Sequence, residues 1–332
     1  MTLTAAQTDR AIGTLVASAA GDALGAGYEF GSAPYDGLPR MIGGGLGGFA
    51  PGEWTDDTAQ AMAIARVAAT GVDLRSTEAL DAIAAGFAEW YAGGPSDVGI
   101  QTAEVLRAAG RHPTAATMTA AAKAEHDRSG RSAGNGSLMR TAPVALAYLG
   151  PGEQAALVEA AHAVSALTHH DPLAGDGAAL WCLMVREAVL TGDLPTPGEL
   201  VGHLRDPDRW LEVLAEAEAN QPETFTENGW VVGALQAAWS AITHTPTPVD
   251  LPGRHLRDAL ATAIGIGHDT DTVAAIAGGL LGARWGVTAV PLAWQRILHG
   301  WPGLRTIDLT ALAVRIAVGD DPRTWPQTDA AD

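Results

Sequence analysis

Basic charge, cysteine, aromatic rings and strand-forming runs are all scarce in this chain. Only 20 Lys and Arg stand against 38 acidic residues, a net charge of −18 over 332 residues. That balance argues against a general nucleic-acid or anionic-membrane surface, which needs a basic stripe. Any phosphate-bearing ligand must then be held locally, by backbone N–H groups or by one or two arginines. Cys182 is the only cysteine, so no disulfide can form within the chain, and the expected compartment is the reducing cytoplasm. No stretch reaches the ~18 apolar residues of a membrane span. Residues 11–20, AIGTLVASAA, look like a short signal-peptide core. But Asp9 stands beside Arg10 where a basic cluster belongs, and the run leads directly into GDALG, so it reads as a buried helix. Aromatic residues are only 5% of the chain, yet hydrophobic residues are 47%, enough for a sizeable core.

Alternating Val/Ile/Thr segments are missing, and helical signals fill the chain instead. Apolar periodicity and capping residues predict helices over 8–20, 56–70, 76–92, 97–109, 114–125, 137–148, 152–167, 173–191, 208–219, 229–243, 254–265, 272–285, 291–299 and 308–318. Several, such as 173–191 and 272–285, are apolar almost all round and belong in a buried layer. The Pro-rich stretch 244–252 is the best candidate linker, but it is short. We therefore expect an all-α chain folded as one large domain, 1–332, and acting as a monomer.

What the chain does have is concentrated acid. GIGHDTDTVAAIAGGLLGARWG, 265–286, sets Asp269, Thr270, Asp271 and Thr272 before an apolar helix. PGEWTDDTAQAMAIARVAA sets Thr55, Asp56, Asp57 and Thr58 before another. One such group could be a cap with extra acid in its first turn. Two adjacent carboxylates cannot both cap one helix, however, and they repel each other unless a cation lies between them. Glu29, after the glycines of GDALGAGYEF that break the first helix in this reading, would bring the converging carboxylates to five: Glu29, Asp56, Asp57, Asp269 and Asp271. Thr55 and Thr272 add hydroxyl oxygens. This set is oxygen-rich and free of sulfur, so it suits Mg²⁺ or Mn²⁺ rather than a structural zinc. Two divalent cations would leave about −1 on such a cluster.

Three further stretches carry weaker signals. In SAGNGSLMRTAPVAL, Gly134, Asn135 and Gly136 precede the helix predicted at 137–148, where exposed N–H groups could hold an anion. The run GGGLGGFAPG, 43–52, has no following Lys-Ser/Thr, so it reads as a mobile loop that could close as a lid. In LTHHDPLAGDGAALWC, His169 or His170 could line a site, although a lone His near a helix start is more often structural.

The order GDALG, Glu29, WTDDT, GNGSLMR, TH and GHDTDTVAAIAGGLLGARWG resembles the ADP-ribosylglycohydrolase family over roughly residues 10–290. The resemblance implies an all-α orthogonal bundle with a binuclear Mg²⁺ or Mn²⁺ cleft. It implies Thr55, Asp56, Asp57, Asp269, Asp271 and Thr272 as metal ligands, and Glu29 as the acidic residue beside them. Gly134, Asn135 and Gly136, with Ser137 next, match the loop around the diphosphate and distal ribose, and His169 is the best match for the family's histidine. The implied partner is ADP-ribose or an ADP-ribosylated substrate, cleaved at its glycosidic bond. Glu29 would be the base for water, and Asp57 or Asp269 the acid. Two rivals remain at this level: a non-catalytic ADP-ribose binder on the same fold, and a His-Asp metal phosphohydrolase using His170-Asp171 and His268-Asp269.

Overall fold

Helices α1 (Ala5–Gly25) and α12 (Thr270–Trp285) lie backbone against backbone in the computed structural model, which describes residues 2–319. Their glycines are the reason. A Cβ on Gly21 would stand 2.1 Å from the Ala274 carbonyl oxygen, and one on Gly25 2.4 Å from the Asp271 Cα. A Cβ on Gly282 would stand 2.0 Å from the Gly13 carbonyl oxygen. Only a residue without a side chain permits such an approach. Of the glycines read from sequence as a helix break, Gly21 and Gly25 therefore lie inside α1, and the chain turns only at 26–31, which holds Gly27. There Glu29 is extended and Phe30 is left-handed at φ 46°.

Around this pair pack α8 (Pro172–Thr191), α10 (Val231–His244) and α11 (Arg254–Gly265). The other flank holds α2 (Asp56–Ala68), α6 (Ala142–Leu146) and α14 (Thr306–Val318). Outside them lie α3 (Thr77–Ala92), α4 (Ile100–Ala109), α5 (Ala115–Ser129), α7 (Gln154–Ala166), α9 (Pro207–Ala219) and α13 (Leu292–Ile297). The fold is all-α, as expected. The two helices that are apolar all round, α8 and α12, are buried along nearly their whole length. One contiguous apolar cluster runs from Leu3 to Ala313.

Two predicted helices are shorter than expected. Over 137–148 there is a single 3-10 turn, Asn135–Ser137, then only the short α6. Pro143, which has no N–H to bond one turn back, stands where that helix would have had its interior. Over 291–299, α13 gives way to a two-residue strand, His299–Gly300, paired antiparallel with Leu304–Arg305. The run 43–52 is a folded turn, with Gly44 and Phe49 exchanging backbone hydrogen bonds and Gly45 pressed against the Ala26 carbonyl. The stretch 244–252 joins α10 to α11, and those two helices pack together. Among the described residues no helix is long and apolar enough to cross a membrane.

Candidate active site

Helix α2 begins without a cap of its own, because the Thr55 side chain makes no capping bond. Asp22, brought across from α1, does the work. Its carboxylate accepts the Thr55 N–H at 2.9 Å, the Thr58 N–H at 3.0 Å and the Thr58 hydroxyl at 2.6 Å. A carboxylate satisfies the orphan donors and complements the helix dipole. The side chains of Thr55, Asp56 and Asp57 are thereby released from capping. Burial pushes the Asp22 carboxyl up to about 6, against the lowering effect of these hydrogen bonds. Sequence reading missed Asp22, although a signal was there: an acid inside an apolar run must be paired if it is buried.

At the start of α12 the chain turns sharply through Gly267 (φ 84°) and His268 (φ 62°). Asn228, fully buried, clips this turn. It donates to the Gly267 carbonyl at 3.0 Å and accepts the Asp269 N–H at 3.1 Å. Asn135 closes the bracket, its amide nitrogen donating to the Asn228 carbonyl and to Asp269 Oδ2, both at 2.8 Å. Both Asn135 amide protons are therefore committed to scaffolding, and Asn228 is a second residue that sequence reading missed.

Two carboxylate groups result. Oxygens of Asp22, Asp57 and Asp271 lie within 4.8 Å of one another, as do oxygens of Glu29, Asp269 and Asp271, so Asp271 belongs to both. Thr55 Oγ1 donates to Asp57 Oδ2 at 3.1 Å, and Thr272 Oγ1 sits 3.5 Å from the same oxygen. Glu29 Oε2 and Asp57 Oδ1 are buried with no partner among the described residues. Burial first, then neighbouring carboxylates, drives Asp56, Asp57 and Asp271 well above the usual carboxylate range. Burial also raises Asp269. Glu29 is pushed up to about 8 by burial, then by Asp269 and Asp97. Orphaned carboxylate oxygens in a mutually repelling, all-oxygen set fit a hard divalent cation.

The cluster forms one wall of a cavity of about 420 Å³ lined by Glu29, Asp56, Asp269, Asp271 and Thr272. Facing them are Gly134, Asn135, Gly136, His169 and Gly229, with Phe30 and Leu46 also in the lining. Asp97, unnoticed in the sequence, lines the cavity too. The remaining expected residues lie elsewhere. Ser137 is fully buried with its hydroxyl 3.5 Å from the Ala174 carbonyl, and it is not in the lining. Thr55 faces a neighbouring cavity of about 210 Å³. Asp57 lines neither cavity.

Of the two histidines, His169 lines the cavity, while His170 is half-buried and faces the His126 ring. Burial, then the Arg140 charge, lowers His169 to about 3, so its ring is neutral. A Cβ on Gly136 would lie 3.0 Å from His169 Cε1, so the glycine lets the imidazole rest on the loop. Asp171 is taken up as the N-cap of α8, accepting the Leu173 N–H at 2.9 Å. The His-Asp dipeptides therefore do not assemble a site of their own.

The family model for ADP-ribosylglycohydrolase matches residues 3–324. An ADP-ribosyl-[dinitrogen reductase] glycohydrolase from Rhodospirillum rubrum is 32% identical over 302 residues, covering 86% of this chain and 89% of that protein. ADP-ribosylarginine hydrolase Tri1 of Pseudomonas putida is 29% identical, covering 88% of this chain and 75% of its own length. Human ADP-ribosylhydrolase ARH3 is 29% identical, covering 75% of each chain. A solved structure described as an ADP-ribosylglycohydrolase-related protein complex superposes with a TM-score of 0.67 at 26% identity, covering 94% of this chain and 98% of that one.

Proposed function

The chain belongs to the ADP-ribosylglycohydrolase family of hydrolases acting on glycosidic bonds, and from that premise we propose how its cavity works. The bound group is ADP-ribose carried on an acceptor. The observation that carries this reading is the pair of carboxylate groups sharing Asp271, set opposite the Gly134–Gly136 loop across one cavity. Among the described residues the lining holds no Lys or Arg, so the diphosphate would be met by loop backbone and by His169. Asp22, Asp57, Asp269 and Asp271, with the Thr55 and Thr272 hydroxyls, would hold two divalent cations, Mg²⁺ or Mn²⁺, with Glu29 beside them. These ions would neutralise the cluster and orient the ribose hydroxyls. Asp56 stands at the edge of this set.

Glu29 lines the cavity with an oxygen that has no hydrogen-bond partner among the described residues, which suits a general base. It takes a proton from water as the water oxygen bonds to the anomeric carbon. The bond from that carbon to the acceptor breaks, and the acceptor atom leaves with a proton from a second acid, the arrangement general to glycoside hydrolysis. Asp269 fits that role better than Asp57, because it lines the cavity and Asp57 does not. The test is release of ADP-ribose from arginine-linked, serine-linked, nucleic-acid-linked and O-acetyl conjugates with Mg²⁺ or Mn²⁺. Release from at least one is expected. Binding of ADP-ribose without release from any would favour the non-catalytic binder.

Stability should report the metal independently. In the metal-free protein the folded carboxyls hold protons to higher pH than the unfolded chain does. Stability is then full below the ordinary carboxylate range near pH ~4 and is lost as pH rises toward about 8, where Glu29 ionises. Cations would cancel that loss. The melting-temperature gap between metal-loaded and chelated protein should therefore widen by a few degrees between about pH 5.5 and about pH 8. A gap that stays constant or narrows over that range excludes metal at this cluster.

A further inference from the structure

Arg140 is fully buried, with its guanidinium 4.5 Å above the Phe87 ring. It touches neither the carboxylate groups nor the cavity, yet it bonds toward both walls. One terminal nitrogen donates to Gln60 Oε1 at 2.6 Å. The other donates to Thr168 Oγ1 at 2.7 Å and to the Val164 carbonyl at 3.3 Å. Thr168 Oγ1 lies 2.7 Å from His169 Nδ1.

Counting donors assigns the proton at each contact of this chain, although the buried Arg140 Nε–H has no partner among the described residues. Arginine has no acceptor, so the Thr168 oxygen must accept from it. The one hydroxyl proton of Thr168 is then free for His169 Nδ1, its only other hydrogen-bond partner among the described residues. An Nδ1 that accepts leaves the proton of the neutral ring on Nε2. Nε2 faces the loop, 3.3 and 3.2 Å from the Cβ positions that Gly134 and Gly136 lack. The same logic orients Gln60. Its carbonyl is held by Arg140, so its NH₂ points to Asp56 Oδ2, 3.0 Å away.

We propose that Arg140 is a positioning residue that, through Thr168, locks His169 as the Nε2–H tautomer and so presents a fixed donor to the ligand's phosphate or ribose oxygens. Through Gln60 it holds Asp56, across the same cavity, by the same count of donors. A His169 in the other tautomer would offer the ligand a lone pair and repel those oxygens. The ligand part of this inference rests on the proposed function; the tautomer part does not.

The experiment compares full-length parent, Thr168→Val, Thr168→Ser and Arg140→Met. Imidazole ¹⁵N NMR without ligand reads the tautomer, with the His169 signal assigned from its absence in His169→Gln. Calorimetry with ADP-ribose and Mg²⁺ reads affinity. The parent should show Nε2 protonated and Nδ1 bare, and Thr168→Ser, which keeps the hydroxyl, should match it. Thr168→Val and Arg140→Met should shift toward a mixture of tautomers and bind ADP-ribose about tenfold or more weakly, as for loss of a hydrogen bond to a charged group. If the Met variant does not fold, the Val and Ser pair decides. A pure Nε2–H tautomer in Thr168→Val overturns the lock, and a shifted tautomer with parental affinity overturns its role in binding. A parent that shows the tautomer but does not bind ADP-ribose removes the functional reading instead.

Discussion

Asp271→Asn is expected to abolish turnover and weaken metal binding while raising the melting temperature of the metal-free protein. Asp271 is the residue common to both carboxylate groups, so its charge acts on every cation proposed there. Its Oδ1 accepts the Thr272 N–H at 3.0 Å, and an asparagine oxygen can keep that bond. The substitution therefore removes charge with little change in shape. Without metal, that charge is a liability, since Asp57, Asp269, Glu29 and Asp22 all repel it in a buried setting. Its removal should stabilise the chelated protein by a few degrees. With metal, the lost ligand should cost at least the roughly 10–100-fold in affinity seen when a supporting partner is removed. The stabilisation given by Mg²⁺ or Mn²⁺ should shrink accordingly. Calorimetric titration beside melting curves with and without chelator measures both signs. A variant that melts lower than the parent without metal, yet gains as much from metal, would show that Asp271 holds the fold rather than the ions.

The acidic half of this site was legible in the sequence because capping sets a limit. A helix start needs one acceptor, and TDDT and DTDT supply more than local structure can use. Asp22 was not legible in the same way. Its neighbours Gly21 and Gly25 look like breakers when read along the chain, and only α12, some 250 residues away, shows them to be contact points. The same crossing that demands glycine sets Asp22 beside Asp57 and Asp271. Asn228 was hidden for a similar reason. Asn-Gly in an irregular stretch reads as an ordinary turn, and its role depends on Gly267 and Asp269, which lie about 40 positions on.

The ligand-side wall was legible only in outline. Gly134 and Gly136 read along the chain as the start of a helix, but the structure has a 3-10 turn, with Gly134 bridged to Trp230 and the Asn135 N–H bonded to the Gly229 carbonyl. The helix-dipole argument for an anion at this loop therefore does not apply. What remains is close approach without side chains, plus the His169 ring. The choice between His169 and His170 could not be made from periodicity. It is decided where the chain leaves α7: the Thr168 and His169 N–H groups both bond back to the Ser165 carbonyl, while Asp171 turns outward to cap α8. Arg140 stands in the GNGSLMR motif, but its task is invisible along the chain, because its partners come from α2, α7 and the turn before α8.

Glu29→Gln should lose turnover by roughly 10²–10⁴-fold, the usual contribution of a general base, while still binding metal and ADP-ribose. The case for separating it from Asp271 is geometric. Glu29 belongs to one carboxylate group only, on an extended residue just before a left-handed Phe30 whose N–H is tied to the His268 carbonyl at 2.7 Å. Its Oε2 has no hydrogen-bond partner among the described residues, so glutamine forfeits no native bond there. The amide cannot take a proton from water, and that is the property the substitution removes. Single-turnover hydrolysis of a conjugate cleaved by the parent, beside calorimetry with Mg²⁺ or Mn²⁺ and ADP-ribose, measures both halves. The pH dependence adds a third check. The parent rate should rise with pH as the Glu29 carboxyl ionises, and the residual rate of Glu29→Gln should lack that limb. Parental rates in Glu29→Gln would pass the role of base to Asp269, the other carboxylate of that group that lines the cavity. Loss of all metal would instead make Glu29 chiefly a ligand, leaving the hydrolase assignment intact and the division of labour wrong.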